Sequence, residues 1–152
     1  MVELKIISNG FEDNKEMPAK YGYSHENINP QLFFEEIPEE TKSLVLIMDD
    51  PDAPMARPFV HWVVFNIPSN TREIPEGQVP EKAVQGQNDF GDKGYRGPKP
   101  PSGTHRYQFK VYALDTTLDL QEGATKQEVL DAIEGHVLGQ GQITGLFPSG
   151  KA

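Results

Sequence analysis

Three short segments hold the side chains of this chain that could do chemistry. Asp50-Pro51-Asp52-Ala53-Pro54 places two carboxylates among prolines that stiffen the backbone. His61-Trp62 opens an apolar run. The third segment, Tyr95 to Tyr107, contains Gly97, Lys99, Pro100, Pro101, Ser102, Gly103, His105 and Arg106. Imidazoles and a phenol can donate hydrogen bonds to an anion, and a carboxylate can receive a cation. Asp50, Asp52, His61, His105 and Tyr107 therefore read together as the pocket of a ligand-binding protein. Each segment also has a structural reading. Aspartates beside prolines commonly cap turns, His61 could sit in or at the edge of a core, and Tyr107 could be core with His105 at its margin.

Strands are the elements that must position these residues. Leu44 to Asp49 is apolar on both parities, which predicts a strand covered on both faces. Val60 to Ile67 is β-branched and aromatic and reads as a central strand. In the strand from Tyr107 to Leu114, alternation puts His105, Tyr107, Phe109 and Val111 on one face and Arg106, Gln108 and Lys110 on the other. His105 and Tyr107 can then meet one ligand, whereas Arg106 becomes structural support, paired with an acidic residue beneath the pocket. Val2 to Ile7 and Leu32-Phe33-Phe34 read as shorter strands, and Ile143 to Phe147 as a last one. Residues 68 to 104 are rich in proline and glycine and long for a loop in a compact domain, and such loops are usually functional or disordered. Prolines preorganise the part before His105, glycines let a backbone approach closely, and free N–H groups there could bind an anion. Lys99 reads as solvated.

One helix is marked. Thr125-Lys126-Gln127-Glu128 has capping-box spacing, and Val129, Leu130, Ile133 and Val137 follow at helical period, with Gly139 and Gly141 as stops. Hence the expected fold is mostly β: two packed sheets with one clear C-terminal helix, in a single domain over residues 1–152.

Bulk properties narrow the classes. The chain has 152 residues and a net charge of -9, with no basic stripe for nucleic acid. Its field repels anionic membranes, so an anion must be held by local groups. No cysteine is present, which excludes disulfides and thiol chemistry and suits a reducing cytoplasm. Met1 to Lys5 shows no signal-peptide pattern, and Leu44 to Met48 is too short to span a bilayer. His25, in a polar loop, and His136, near the helix C-terminus, read as structural.

The three segments resemble the phosphatidylethanolamine-binding protein family, also called the Raf kinase inhibitor protein family. Asp50-Pro51-Asp52-Ala53-Pro54 followed by His61 resembles its first motif. Gly97, Pro100-Pro101, Gly103 and His105-Arg106-Tyr107 resemble its second. Asn29-Pro30-Gln31-Leu32 is similar to an upstream segment, with Phe34 where tryptophan is usual. The form Tyr95-Arg96-Gly97-Pro98-Lys99-Pro100-Pro101 is similar to the bacterial and archaeal branch. The resemblance implies a mostly β fold of two packed antiparallel sheets with Greek-key-like connections and one or two peripheral helices, and a pocket at one end for phosphate, phosphoethanolamine and similar anions. It implies ligand contacts at Asp50, Asp52, Pro54, His61, Gly97, Pro100, Pro101, His105 and Tyr107, and a cis bond at Ala53-Pro54. It further implies a cytoplasmic regulatory or inhibitory module without cofactor, with a kinase or serine protease as partner and homodimers in microbial relatives. In such a pocket His61, His105 and Tyr107 would face phosphate while Asp50 or Asp52 meets ammonium. Two other chemistries fit the same residues. One is a hydrolase using Asp/His acid–base chemistry on a phosphorylated ligand, with Ser102 near His105. The other is zinc held by Asp50, Asp52, His61 and His105, although their spacing is irregular.

Overall fold

In the computed structural model, which describes residues 1–152, two sheets pack face to face and a helix covers the outer side of the larger one. Ten strands are present: β1 (Val2–Glu3), β2 (Lys5–Ile7), β3 (Lys15–Glu16), β4 (Leu32–Glu35), β5 (Ser43–Asp50), β6 (Phe59–Pro68), β7 (Glu73–Ile74), β8 (Val84–Gln85), β9 (Thr104–Leu114) and β10 (Val137–Pro148). The single helix, α1, spans Lys126–Ile133. The large sheet runs β1-β10-β9-β5-β6-β8, with β3 also on β10, and the small sheet runs β2-β4-β7. Within it the order β9-β5-β6-β8 is that of a Greek key, the fourth strand returning beside the first. The long ladders are antiparallel, but β1 and β3 pair parallel to β10, so the large sheet is mixed at that edge.

The double-sided burial of β5 explains the layering. All eight of its residues are buried. Leu44, Leu46 and Met48 join Trp62, Val64, Phe109 and Val111 in the core between the sheets, opposite Ile6, Leu32, Phe34 and Ile74. Val45 and Ile47 point the other way and join Val63, Phe65, Val129 and Ile133 beneath α1. Each such side chain contributes about 1.5–3 kcal/mol on leaving water, so both faces of this strand stabilise the fold.

The helix begins as its sequence directs. Thr125 accepts from the Glu128 N–H and the Glu128 carboxylate accepts from the Thr125 N–H, a complete capping box. It ends earlier than the glycine pattern suggests. Gly135, with φ +82°, turns the chain just after Ile133, and Val137 already belongs to β10. Gly139 and Gly141 are strand residues whose missing side chains make room for the first residues of the chain. A Cβ on Gly139 would lie 2.7 Å from the Val2 carbonyl oxygen, and one on Gly141 2.3 Å from that of Leu4. The expected strand at Ile143 to Phe147 is therefore the last part of a twelve-residue strand. No peptide bond is cis: Ala53-Pro54 is trans, the form that X–Pro bonds also prefer by about 0.5–1 kcal/mol.

Candidate functional site

The C-terminal end of β5, the start of β6 and the start of β9 meet at one end of the large sheet. Alternation along β9 is clear in burial: His105 and Tyr107 are buried and Arg106 is exposed. His61 reaches the same face by a different device. Met48 pairs with Trp62 and Asp49 with Val60, so one step along β5 matches two along β6 and His61 is the extra residue of a β-bulge. Bulges re-aim side chains. Here the bulge lets His61 and Trp62 both turn toward the core between the sheets, and the His61 ring stands edge-on to Tyr107 at 5.2 Å.

Asp50, His61, His105 and Tyr107 line a cleft of about 410 Å³, together with Pro54, Pro100 and Pro101. The Asp50 carboxylate accepts from His105 Nδ1 at 2.6 Å through one oxygen and from the Asp52 N–H at 2.8 Å through the other. His61 Nδ1 donates to the Arg96 carbonyl at 2.6 Å, tying β6 to the proline-rich segment. Neither ring uses Nε2 in a hydrogen bond within the protein. Burial pushes His61 below the ordinary imidazole range, against the opposing pull of Asp50, Asp49 and Asp89. Burial, then the neighbouring Asp50 charge, push the Tyr107 phenol well up, so its hydroxyl stays protonated.

Two of the residues singled out from sequence lie outside the cleft wall. Asp52 turns to Arg106, accepting from its backbone N–H at 2.9 Å, its Nε at 3.0 Å and its Nη2 at 2.8 Å. Those hydrogen bonds from Arg106 hold the Asp52 carboxyl down at about 2. The acidic partner expected for Arg106 is thus Asp52 itself, in a pair beside the pocket with the Arg106 side chain 53% exposed, not a buried pair beneath it. Gly97 packs against the backbone at Tyr21 and Gly22, and its N–H donates to Asn27 Oδ1 at 2.7 Å. It positions the segment that carries Pro100 and Pro101. With Asp52 turned away, no three His, Asp or Glu side chains converge as metal ligands, which removes the four-residue zinc arrangement.

Sequence reasoning missed Met55, Phe59 and Phe90, which complete the wall. Phe59 and Phe90 meet edge to face at 4.9 Å, and Phe90 stacks on Tyr23 at 4.9 Å. Phe59 shares the bulged start of β6, but Phe90 lies in an irregular turn where no periodicity could have marked it. Lys99 is exposed as expected, with Nζ 5.2 Å from the centre of the Tyr23 ring, and its residue also contributes to the wall. His25 Nε2 donates to the Lys151 carbonyl and His136 Nδ1 donates to Asp115, and neither histidine lines the cleft. Asp49, one residue before Asp50, points to the opposite face, where Lys126 and Lys110 approach it at 2.7 and 3.3 Å.

A family model described as phosphatidylethanolamine-binding protein matches residues 7–148. A protein of Methanothermobacter thermautotrophicus named only UPF0098 is 49% identical over 152 residues, covering 97% of this chain and all of that one. Among solved structures, the phosphatidylethanolamine-binding protein homologue CT736 of Chlamydia trachomatis superposes with a TM-score of 0.90 at 37% identity, over 96% of this chain and 97% of that one. YbcL of Escherichia coli, described as a member of the mammalian PEBP family, gives 0.90 at 31% identity over 97% and 99%.

Proposed function

The chain belongs to the phosphatidylethanolamine-binding protein family, and from that premise we propose that it binds a small phosphate-bearing anion in the cleft without turning it over. One observation carries this reading: two buried imidazoles, each anchored through Nδ1 and with no hydrogen bond to Nε2 from within the protein, line one cleft with Tyr107, Asp50 and Lys99 among prolines and aromatic rings. When His105 takes a second proton it becomes a cation paired with Asp50 and donates from Nε2. Tyr107 donates as a phenol. The Asp50 carboxylate repels a phosphate unless a proton is shared between them or a histidine is charged, so anion affinity falls as pH rises through the histidine range. An ammonium on the same ligand meets the Asp50 side.

In this reading the protein is a cytoplasmic regulatory module. The exposed rim of Met55, Phe90 and Tyr23 is the surface on which a kinase or serine protease would sense occupancy. Calorimetric titration with phosphoethanolamine at pH 5.5 and 8 tests the site. Tighter binding at pH 5.5, abolished in His105→Ala, is expected. Equal affinity at both pH values contradicts proton control, and steady release of inorganic phosphate contradicts a pure binding role.

A further inference from the structure

We propose that Arg57 and Asp89 are positioning residues: their ion pair straps the β5–β6 loop, residues 51–58, against one side of the cleft and slows the departure of a bound anion. The proposal rests on the anion-binding reading above and adds what holds one wall of that site in place.

The loop supplies Ala53, Pro54 and Met55 to the wall, yet its middle is barely fastened. From Ala53 to Ala56 the one hydrogen bond is local, from the Met55 N–H to the Ala53 carbonyl at 2.7 Å. Bonds to other segments lie only toward the two ends. Near the first end Asp52 is held by Arg106 of β9. Near the second end Arg57 donates to Asp89 through Nη1 at 2.8 Å and through Nη2 at 3.3 Å. Since β5 lies between β9 and β6 in the sheet, the anchors sit on opposite flanks of β5. Pro51, Pro54 and Pro58 stiffen the stretch, so it pivots on its anchors instead of refolding.

Asp89 is a fixed socket. Its Oδ2 also accepts from the Val60 N–H at 2.8 Å, and its own N–H donates to the Val60 carbonyl at 2.8 Å. Burial opposes its charge, but the bonds from Arg57 and Val60 hold its carboxyl below the ordinary carboxylate range, so the strap is charged at neutral pH. The next residue, Phe90, belongs to the cleft wall and meets Phe59 edge to face at 4.9 Å. Fastening Arg57 to Asp89 therefore joins the loop wall to the aromatic wall. Arg57 is the loose partner, with its side chain 61% exposed. The two anchors are unequal. Asp52 receives three hydrogen bonds, one of them from a strand N–H, whereas the second anchor is the guanidinium alone. Without Arg57 the loop swings on Asp52, and Pro54 and Met55 leave the cleft. An exposed pair of this kind shifts an equilibrium by up to about fivefold. A wall ordered before the ligand arrives needs no ordering on binding, so that factor appears in the lifetime of the complex.

The test compares wild type with Arg57→Ala and Arg57→Lys, both at an exposed position that should leave the fold intact. In the free chains, backbone amide relaxation reads the order of Ala53, Met55 and Ala56, with the buried Ala113 of β9 as control. In Arg57→Ala the order parameters of the loop should fall from about 0.85 toward about 0.6, while Ala113 stays rigid. Arg57→Lys keeps the charge but loses the planar fork, and should lie between the two. Phosphoethanolamine, followed by NMR exchange at pH 6, should leave Arg57→Ala about two- to fivefold faster than wild type, and Arg57→Lys by a smaller factor. A loop as ordered in Arg57→Ala as in wild type would overturn the strap whatever the ligand does. A loosened loop with unchanged dissociation would overturn its part in binding. No binding of phosphoethanolamine by wild type, with the loop loosened in Arg57→Ala, would overturn the anion reading and leave the strap as a holder of the wall alone.

Discussion

Adding a single methyl group at Gly97 should unseat one wall of the cleft. The φ of Gly97 lies outside the left-handed region, so its backbone suits any residue and space alone sets the cost. An added Cβ would stand 1.9 Å from the Tyr21 carbonyl oxygen and 2.9 and 3.0 Å from the Gly22 and Tyr21 carbonyl carbons. Relief requires the Arg96–Pro101 segment to move away from the Tyr21–Tyr23 turn by more than 1 Å, on the order of the overlap with ordinary contact distances. Three hydrogen bonds hold those segments together: Tyr23 N–H to Pro98 O at 2.9 Å, Gly97 N–H to Asn27 Oδ1 at 2.7 Å and Tyr95 hydroxyl to Tyr21 O at 2.9 Å. Loss of these at about 1 kcal/mol each, or the equivalent overpacking strain, gives a destabilisation of about 3 kcal/mol. For a chain of this size that is a fall of about 6–12 °C in Tm. Gly103 on the same loop provides the control. Its φ is +67° and no atom lies within 4 Å of an added Cβ, so Gly103→Ala suffers only the left-handed strain of about 1 kcal/mol. Thermal unfolding of both variants, followed by circular dichroism, makes the comparison. A Gly97→Ala variant as stable as Gly103→Ala would refute the packing argument.

Three further outcomes follow from the charges. Asp52 is held at about 2 by Arg106, below its unfolded value. Its contribution is therefore complete above about pH 4 and lost as pH falls toward 2, worth about 1 kcal/mol after allowance for solvent screening. Urea unfolding of wild type and Asp52→Asn should differ at pH 6 and converge at pH 2. Burial lowers His61, so the stability that comes from keeping it neutral is present above about pH 6.5 and fades as pH falls. Its ring resonances should titrate below the ordinary imidazole midpoint, and a midpoint at or above it would contradict the burial argument. Asp49→Ala strands Lys110 and Lys126, whose partly exposed ammonium groups can regain water, so a loss of about 2–3 kcal/mol in urea unfolding is expected. No loss would mean that this buried carboxylate adds nothing to the packing of α1.

How much of this was legible beforehand depends on whether a feature is local. Strand parity placed Tyr107 and His105 inward and Arg106 outward, because alternation needs no knowledge of a partner strand. The same rule would have sent Asp49 with Val45 and Ile47 toward the helix, had it been applied to the acids that end β5. The bulge at His61 was invisible, since it exists only in the register between β5 and β6. Gly139 and Gly141 were misread as helix stops because a glycine that yields space to another segment looks, in sequence, like one that turns the chain. Asp52 looked like a pocket acid beside Asp50, yet its partner is the backbone and guanidinium of Arg106, fifty-four residues later. Phe90 entered the cleft from the proline- and glycine-rich connection, where side-chain direction follows no period.

The chain has four histidines, and this supplies the most direct measurement of the central claim. Side-chain NMR of the imidazoles during titration with phosphoethanolamine at pH 6 reports each ring separately. His61 and His105 should shift together and saturate, while His25 and His136, hydrogen-bonded to Lys151 and Asp115 outside the cleft, should stay in place. Saturating shifts at His25 or His136 with His61 and His105 unmoved would contradict the assignment of the anion to this cleft.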